Sequence, residues 1–299
     1  MATFEQCANT GVTAAQFGNV PDVAAAQAGG LFGGATTLTP ESSDTFTIGA
    51  VFTPSFIEGL TASIDYFDIS IDDAIAQGFG AQNLLDTCLA TGDPEFCGFI
   101  NRDGAGSLNS GTSTVDAVGF NLININAAEL STSGVDLQVN YSFDIDNWGD
   151  FGLQYASTLL DSNDFAPTAG APVVERAGNF VGQAGLPRAD YRHTASAIWN
   201  TPIDGLRTNL TWRHFGSVEN EGDPTSAIEG SLDAANYIDL SSSWEFFEGI
   251  TARAGVNNLF EKNFPISVSS GPAINGNNNT FPGIYDTGRF FFFGINAKL

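Results

Sequence analysis

The last thirteen residues of the chain, 287–299, constrain its fold more than any other segment. Every second residue, read back from the C-terminus, is apolar, and the intervening positions near the end are polar or small. The apolar set is Phe291, Phe293, Ile295, Ala297 and Leu299. This period of two predicts a β-strand, because successive side chains of a strand point to opposite faces. One face that is wholly apolar predicts a strand with lipid on one side and water on the other.

Further segments alternate in the same way. The clearest is 134–145, where Val135, Leu137 and Val139 alternate with Asp136, Gln138 and Asn140. With the terminal strand we predict about nine strands, and the others lie near 45–52, 60–71, 151–155, 195–199, 206–213, 238–246 and 250–257. No run of about 18 apolar residues occurs, so an ordinary transmembrane helix is excluded.

The connections between these strands alternate between short and long. The short ones are 54–58, 146–149, 202–205 and 247–249, and the long ones are about 77–127, 162–187, 217–233 and 259–286. Outer-membrane barrels place short turns in the periplasm and long loops outside the cell. The fold class predicted is therefore all-β, namely the C-terminal portion of a large transmembrane outer-membrane β-barrel with about nine antiparallel strands.

This topology gives a domain prediction. Residues 1–43 are expected to be an extracellular loop segment and 44–299 a partial barrel. The long extracellular loop 77–127 is expected to hold a short helix at 81–90 and a hairpin. Nine strands are an odd number and leave two open edges. The start of the chain has neither a basic region nor an apolar run typical of a signal peptide. We therefore expect a truncated chain that lacks an N-terminal plug and part of the barrel.

Charge and cysteine content narrow the function further. The net charge is −24, so nucleic acid is excluded as a partner. Of the three cysteines, Cys88 and Cys97 are close in sequence and predict a short-loop disulfide, with two free thiols as the alternative. Cys7 would then be left over, and we expect its partner upstream of the present N-terminus. Only two histidines occur, which argues against a metal site. His193 and His214 are interpreted as aromatic residues at a barrel rim, and we expect no cofactor and no catalytic site.

Several segments resemble TonB-dependent receptors of the bacterial outer membrane. The stretches that carry the resemblance are 38–49 (LTPESSDTFTIG), 59–75, 130–137 (LSTSGVDL), 255–262 (GVNNLFEK) and 281–289 (FPGIYDTGR). The resemblance implies a barrel of 22 strands around a plug, and energy-coupled uptake of an iron-siderophore, a vitamin or an oligosaccharide. It also implies three partners: outer-membrane lipid, the TonB energy transducer acting through the plug, and the barrel assembly machinery. The assembly machinery would recognise the C-terminal strand through Phe291, Phe293, Ile295 and Leu299, although the family usually ends in an aromatic residue.

Charged residues on the polar faces of the predicted strands are the candidate site. In this register Arg207, Arg213 and Arg253 point into the lumen, as do Asp136, Asp239 and Glu245. They could line the wall with ion pairs that hold a plug, or form an arginine path for an anionic chelate. Two other functions stay open, namely a small passive porin or structural barrel and a soluble secreted β-rich binding domain.

Overall fold

The computed structural model describes residues 2–22, 28–77, 80–109, 118–166, 173–181, 185–226, 230–267, 281 and 283–298. The chain divides into two compact units. The first comprises Met1–Ser43, Ile71–Glu129 and Ala166–Pro172, and the second comprises Asp44–Ser70, Leu130–Phe165 and Val173–Leu299. Across the described residues, no helix has the length and apolar character needed to cross a membrane.

A nine-strand path of hydrogen-bonded strands dominates the second unit. Its neighbours follow chain order apart from the loop strands, as the predicted up-and-down antiparallel topology requires. The strands are β2 (Ser42–Phe52), β3 (Leu60–Gln77), β5 (Gly119–Ile145), β6 (Gly149–Ala166), β10 (Tyr191–Asn200), β11 (Leu206–Phe215), β14 (Ala235–Phe247), β15 (Ile250–Asn257) and β16 (Phe290–Ala297). Within the described part of the chain, β2 and β16 form the two edges of this sheet, which is therefore not closed into a barrel.

The two faces of this sheet differ in polarity, and the strand register shows it directly. Tyr155, Ala195 and Trp212 lie side by side on β6, β10 and β11, and Leu153, Ala197 and Leu210 form the next row. The apolar face continues to the edge strand, where Phe291, Phe293 and Ile295 pair with Val256, Ala254 and Ala252. The opposite face carries Thr211 against Asp239 and Arg207 against Ser243. These strands thus present apolar side chains on one face of the sheet and polar side chains on the other.

The four short turns of the sheet share one feature. They occupy 53–59, 146–148, 201–205 and 248–249, and a glycine with positive φ stands at or beside the start of each following strand. At Gly205 φ is 73°. A Cβ there would collide with the carbonyl oxygen of Glu245 on the neighbouring strand. Gly205 also accepts a hydrogen bond from the Glu245 N–H at 3.0 Å, so glycine is needed for close approach as well as for its backbone conformation.

The long connections of the second unit build structure of their own. Five short strands lie in them: β7 (Val174–Glu175), β8 (Asn179–Val181), β9 (Gly185–Arg188), β12 (Val218–Asn220) and β13 (Ser231–Leu232). Four of these form a separate sheet in the order β13-β12-β8-β9. The same loops contain a hydrophobic core, which we call the loop core. It consists of Phe180, Ala189, Val218, Leu232, Ala235, Tyr237, Phe281 and Tyr285. Three different loops therefore share one core.

The first unit contains the helices. They are α1 (Phe4–Asn9), α2 (Ala81–Thr91) and α3 (Pro94–Cys97), with β1 (Gly30–Gly34) parallel and β4 (Ile100–Asn101) antiparallel to the start of β5. Cys88 and Cys97 form a disulfide with Cα atoms 5.0 Å apart, and Cys7 is a free, half-buried thiol. The Arg102 side chain donates hydrogen bonds to the carbonyl oxygens of Thr10 at 3.0 Å and Gly106 at 2.8 Å. Its burial lowers the pKa of the guanidinium.

Candidate functional site

Two arginines lie in one row on the polar face, towards the short turns. Arg207 pairs in register with Ser243, and Ser243 pairs with Arg253 on the next strand. Strands of a sheet are about 4.8 Å apart, so the two arginine Cα atoms are roughly 10 Å apart. Both line a groove whose other residues include Asn209, Ser241 and Ser243. We call these five residues the basic groove.

The two arginines of the basic groove differ from Arg213, the third predicted arginine, in whether they form ion pairs. Among the residues that the structure describes, neither Arg207 nor Arg253 forms an ion pair. A guanidinium has five N–H donors and keeps its charge throughout the physiological pH range. The groove thus offers two positive charges to any anion that reaches the polar face.

Arg213, by contrast, donates four hydrogen bonds to carboxylates near the long loops. Its Nε donates to Asp239 Oδ2 at 2.6 Å and its Nη2 to Asp286 Oδ2 at 2.6 Å. Second bonds from Nη2 to Asp239 Oδ1 at 3.1 Å and from Nη1 to Asp286 Oδ1 at 3.2 Å make both contacts bidentate. The Asp286 N–H donates to the Tyr237 hydroxyl at 3.1 Å. Arg213 therefore joins the sheet to the loop that precedes β16.

A cavity of about 410 Å³ lies beside this ion-pair cluster. Its lining includes Asp136, Arg192, Thr194, Arg213 and Tyr237, together with Ile284 of the loop that precedes β16. Asp136 accepts a hydrogen bond from the Thr158 hydroxyl at 2.7 Å. In the described ranges no ion pair involves Arg192. Among the residues that the structure describes, the cavity thus combines an arginine without an ion pair, a carboxylate and aromatic rings.

The remaining predicted residues fall in different places. Glu245 accepts the Gly249 N–H at 3.0 Å in a short turn. Phe291, Phe293 and Ile295 are 60–73% exposed on the apolar face of β16, and Leu299 lies outside the described residues. Cys88 and Cys97 belong to the first unit and not to the sheet. In the described part of the chain no three His, Cys, Asp or Glu side chains are grouped to hold a metal ion.

Sequence reasoning missed Arg192 and Asp286. Arg192 alternates with Tyr191 and His193 at the start of β10, so its inward position could have been read from the period of two. Asp286 lies in a loop, where no periodicity indicates the direction of a side chain. Its contact with Arg213 spans 73 positions in sequence and could be found only from the structure.

Comparison with known proteins identifies the family. The family "TonB dependent receptor-like, beta-barrel" matches residues 8–259 of the chain. The chain belongs to the TonB-dependent receptor family. The predicted all-β, antiparallel fold of this family is confirmed by the sheet. No curated protein matches the chain in sequence.

Solved structures agree with this TonB-dependent receptor fold. A mutant of the ferric enterobactin receptor PfeA from Pseudomonas aeruginosa shares 15% identity with a TM-score of 0.54, over 86% of this chain and 31% of that one. The FrpB iron transporter from Neisseria meningitidis shares 15% identity with a TM-score of 0.52, over 90% and 33%. The siderophore receptor PirA from Acinetobacter baumannii shares 15% identity with a TM-score of 0.50, over 87% and 32%. The chain spans about a third of the length of these structures.

Proposed function

We propose that this chain is part of an outer-membrane receptor that takes up a bulky nutrient by energy-coupled transport. The observation that carries the proposal is the two-faced sheet, which combines a continuous apolar face with a polar face bearing cations in a chain of net charge −24. Membership of the TonB-dependent receptor family supports it. The protein would act in the bacterial outer membrane as a transporter and not as an enzyme.

An iron-siderophore is the proposed substrate, ahead of a vitamin or an oligosaccharide. The similar solved structures are a ferric enterobactin receptor, an iron transporter and a siderophore receptor. The basic groove supports the same choice, because Arg207 and Arg253 would attract an anionic chelate to the inner wall. Arg213 is excluded from the proposed path, since Asp239 and Asp286 already neutralise it.

The arginines of the basic groove have a second possible role, which is to hold a plug domain by ion pairs. In the proposed mechanism the ligand binds at the outer loops. The plug then rearranges through the TonB energy transducer, and the ligand passes along the inner wall. The plug and the remaining strands would lie outside the present chain, and the barrel assembly machinery would insert the complete protein. The two roles of Arg207 and Arg253, guiding the ligand and holding the plug, predict different effects of their removal, so an experiment can distinguish them.

The test measures uptake of a radiolabelled ferric siderophore by iron-starved cells that express the full-length receptor. The double variant Arg207→Ala, Arg253→Ala is compared with Asn209→Ala, which shortens a side chain of the same groove without changing the charge. A path role predicts slower uptake with unchanged surface binding and no added leakage of large antibiotics. A plug-holding role predicts that the double variant leaks.

Two results would count against these proposals. Unchanged flux and unchanged leakage in the double variant would refute both roles of the arginines. Uptake by the unmutated receptor that persists after a protonophore collapses the energy supply would refute energy-coupled transport itself and would favour a passive porin.

A further inference from the structure

The cavity of about 410 Å³ on the polar face has a size typical of small-molecule sites. Its lining comes from five strands, β5, β6, β10, β11 and β14, and from the loop before β16. Ala156 and Thr194 are register partners with small side chains. Arg213 is the partner of Thr194 on its other side, and Arg192 lies two residues along the same strand. Small residues beside these long side chains leave room for a ligand.

Arg192 supplies a positive charge to this cavity that no protein group neutralises. Among the residues that the structure describes, its guanidinium takes part in neither an ion pair nor a side-chain hydrogen bond. The fork of N–H donors on a guanidinium matches the two oxygens of a carboxylate. A carboxylate of a ligand could therefore bind Arg192 without displacing a protein partner.

A carboxylate of the protein lies two strands away from Arg192. Thr158, the register partner of Arg192 on β6, donates its hydroxyl to Asp136 Oδ1 at 2.7 Å. Within the described ranges Asp136 has no ion pair either. Neighbouring strands are about 4.8 Å apart, so the Cα atoms of Arg192 and Asp136 are roughly 10 Å apart. Two opposite charges thus line one cavity without pairing with each other.

The balance of charge disfavours a ligand group that is only anionic. Arg213 is shared by Asp239 and Asp286. Together with Asp136 and Arg192, the described residues in and beside the cavity therefore include three carboxylates against two guanidiniums. A second negative group on the ligand would be repelled. A ligand with one carboxylate and one ammonium group instead matches both unpaired charges at the same time.

The apolar part of the lining lies at the arginine end of the cavity. Phe215 is the register partner of Arg192 on β11, and Ile284 belongs to the loop before β16. Both line the cavity and pack against the loop core. The Phe215 ring is held edge-to-face against Tyr285, with ring centroids 5.5 Å apart. An apolar side chain that packs on Phe215 would therefore lie next to the carboxylate bound by Arg192.

We propose that this cavity binds a zwitterionic, dipeptide-like group, either a free peptide or the end of a larger chelate. The carboxylate binds Arg192, the ammonium group binds Asp136, and the apolar side chain beside the carboxylate packs on Phe215. The Cα atoms of a dipeptide are about 3.8 Å apart, and the long side chain of Arg192 covers the rest of the distance between the strands. The inference rests on the proposed function, because it specifies one part of the ligand that the receptor takes up.

The test is the binding of glycyl-leucine to the purified full-length receptor, measured by saturation-transfer difference NMR. Two capped probes each remove one charge. N-acetyl-glycyl-leucine lacks the ammonium group, and glycyl-leucine amide lacks the carboxylate. We expect each cap to weaken binding about tenfold, because each removes a charge-assisted contact. This comparison uses the unmutated receptor, so it does not depend on the folding of any variant.

Variants then assign each charge of the probe to one residue. Arg192→Gln should bind glycyl-leucine about tenfold more weakly and should no longer discriminate against the amide. Asp136→Asn should no longer discriminate against the acetylated probe. Asp144→Asn is the matched control, because it makes the same change on the same face of β5 but outside the cavity. This control should bind all three probes like the unmutated receptor.

Equal binding of the three probes, or no binding of glycyl-leucine, would overturn the proposal. Either result would leave the proposed function standing, because energy-coupled uptake of a ferric siderophore is measured separately in cells. If glycyl-leucine binds and slows that uptake, the cavity holds a dipeptide-like end of the chelate. If glycyl-leucine binds and uptake is unchanged, the occupant is a free peptide.

Discussion

Replacing Arg213 with methionine should release the loop before β16 from the sheet. The change keeps the aliphatic part of the side chain and removes the guanidinium that joins Asp239 to Asp286. Both carboxylates would then lose the cation that they share. The loop would retain the packing of Tyr285, which is 1% exposed in the loop core. Opening of the loop, and not global unfolding, is therefore the expected effect.

The size of this effect follows from the contacts. Four charge-assisted hydrogen bonds are lost, each worth about 1.5–3 kcal/mol when fully formed. The side chains of Arg213, Asp239 and Asp286 are 34%, 18% and 24% exposed, so solvent weakens the ion pairs. Only two of the four bonds reach the loop. We expect the loop to open more easily by about 2 kcal/mol, roughly 30-fold in the opening equilibrium.

The assay is hydrogen exchange measured by mass spectrometry on a peptide covering 283–289. Its amides include Ile284 and Tyr285, which donate to the Phe281 carbonyl at 3.1 Å and 3.0 Å. Arg253→Met is the control, because it removes an arginine of the polar face that forms no ion pair in the described residues. If both variants exchange at the same rate, Arg213 does not anchor the loop and the reasoning is wrong.

Two further changes probe the turns and the loop core. Gly205→Ala should lower the stability of the folded protein by about 2 kcal/mol or more, through strain at positive φ and the collision described above. The measurement is the temperature at which gel mobility shifts in detergent. Gly152→Ala should not lower this temperature, because its added Cβ would meet the Ile198 side chain only at ordinary van der Waals distance, and equal shifts in the two variants would contradict this account. Tyr285→Phe should stabilise the loop core by about 1 kcal/mol, because the buried hydroxyl of Tyr285 has no hydrogen-bond partner in the described chain. Tyr237→Phe should destabilise the loop core, because it removes the hydroxyl that accepts the Asp286 N–H. Burial raises the pKa of Tyr285 in the folded protein, so the tyrosine loses its proton at lower pH in the unfolded state than in the folded state. Stability should therefore fall as pH rises above about 10. If Tyr285→Phe shows the same loss of stability at alkaline pH, Tyr285 is not its cause.

The strands of the main sheet could be predicted from the sequence because membrane strands have two different solvents. The alternation in 134–145 placed Val135 and Asp136 on opposite faces without knowledge of any neighbour. The strand nevertheless begins earlier, at Gly119, because its first residues pair with β1 and β4. The alternation is interrupted between 126 and 133, so the sequence predicts a separate hairpin within the loop and not one continuous strand.

The site was less accessible to sequence reasoning. The inward direction of Arg207 and Arg253 follows from periodicity, but their common row depends on the register of three strands. The four-stranded loop sheet has strands of two to four residues, too short to show alternation. His193 and His214 gave no sign in sequence of being direct register partners. The composition of the site therefore depends on contacts between distant segments, which a local sequence pattern does not reveal.

The glycines of the short turns limit where this protein can vary. At Gly149 and Gly205 a side chain would meet the carbonyl oxygen of the adjacent strand, so few mutations can be accepted there and insertions would displace a paired strand. The opposite end has loops of 20 residues or more, such as 258–289, whose length is not fixed by strand pairing. Adaptation to new ligands should therefore accumulate almost entirely at one end of the sheet, while the other end keeps its sequence as the lineage diverges.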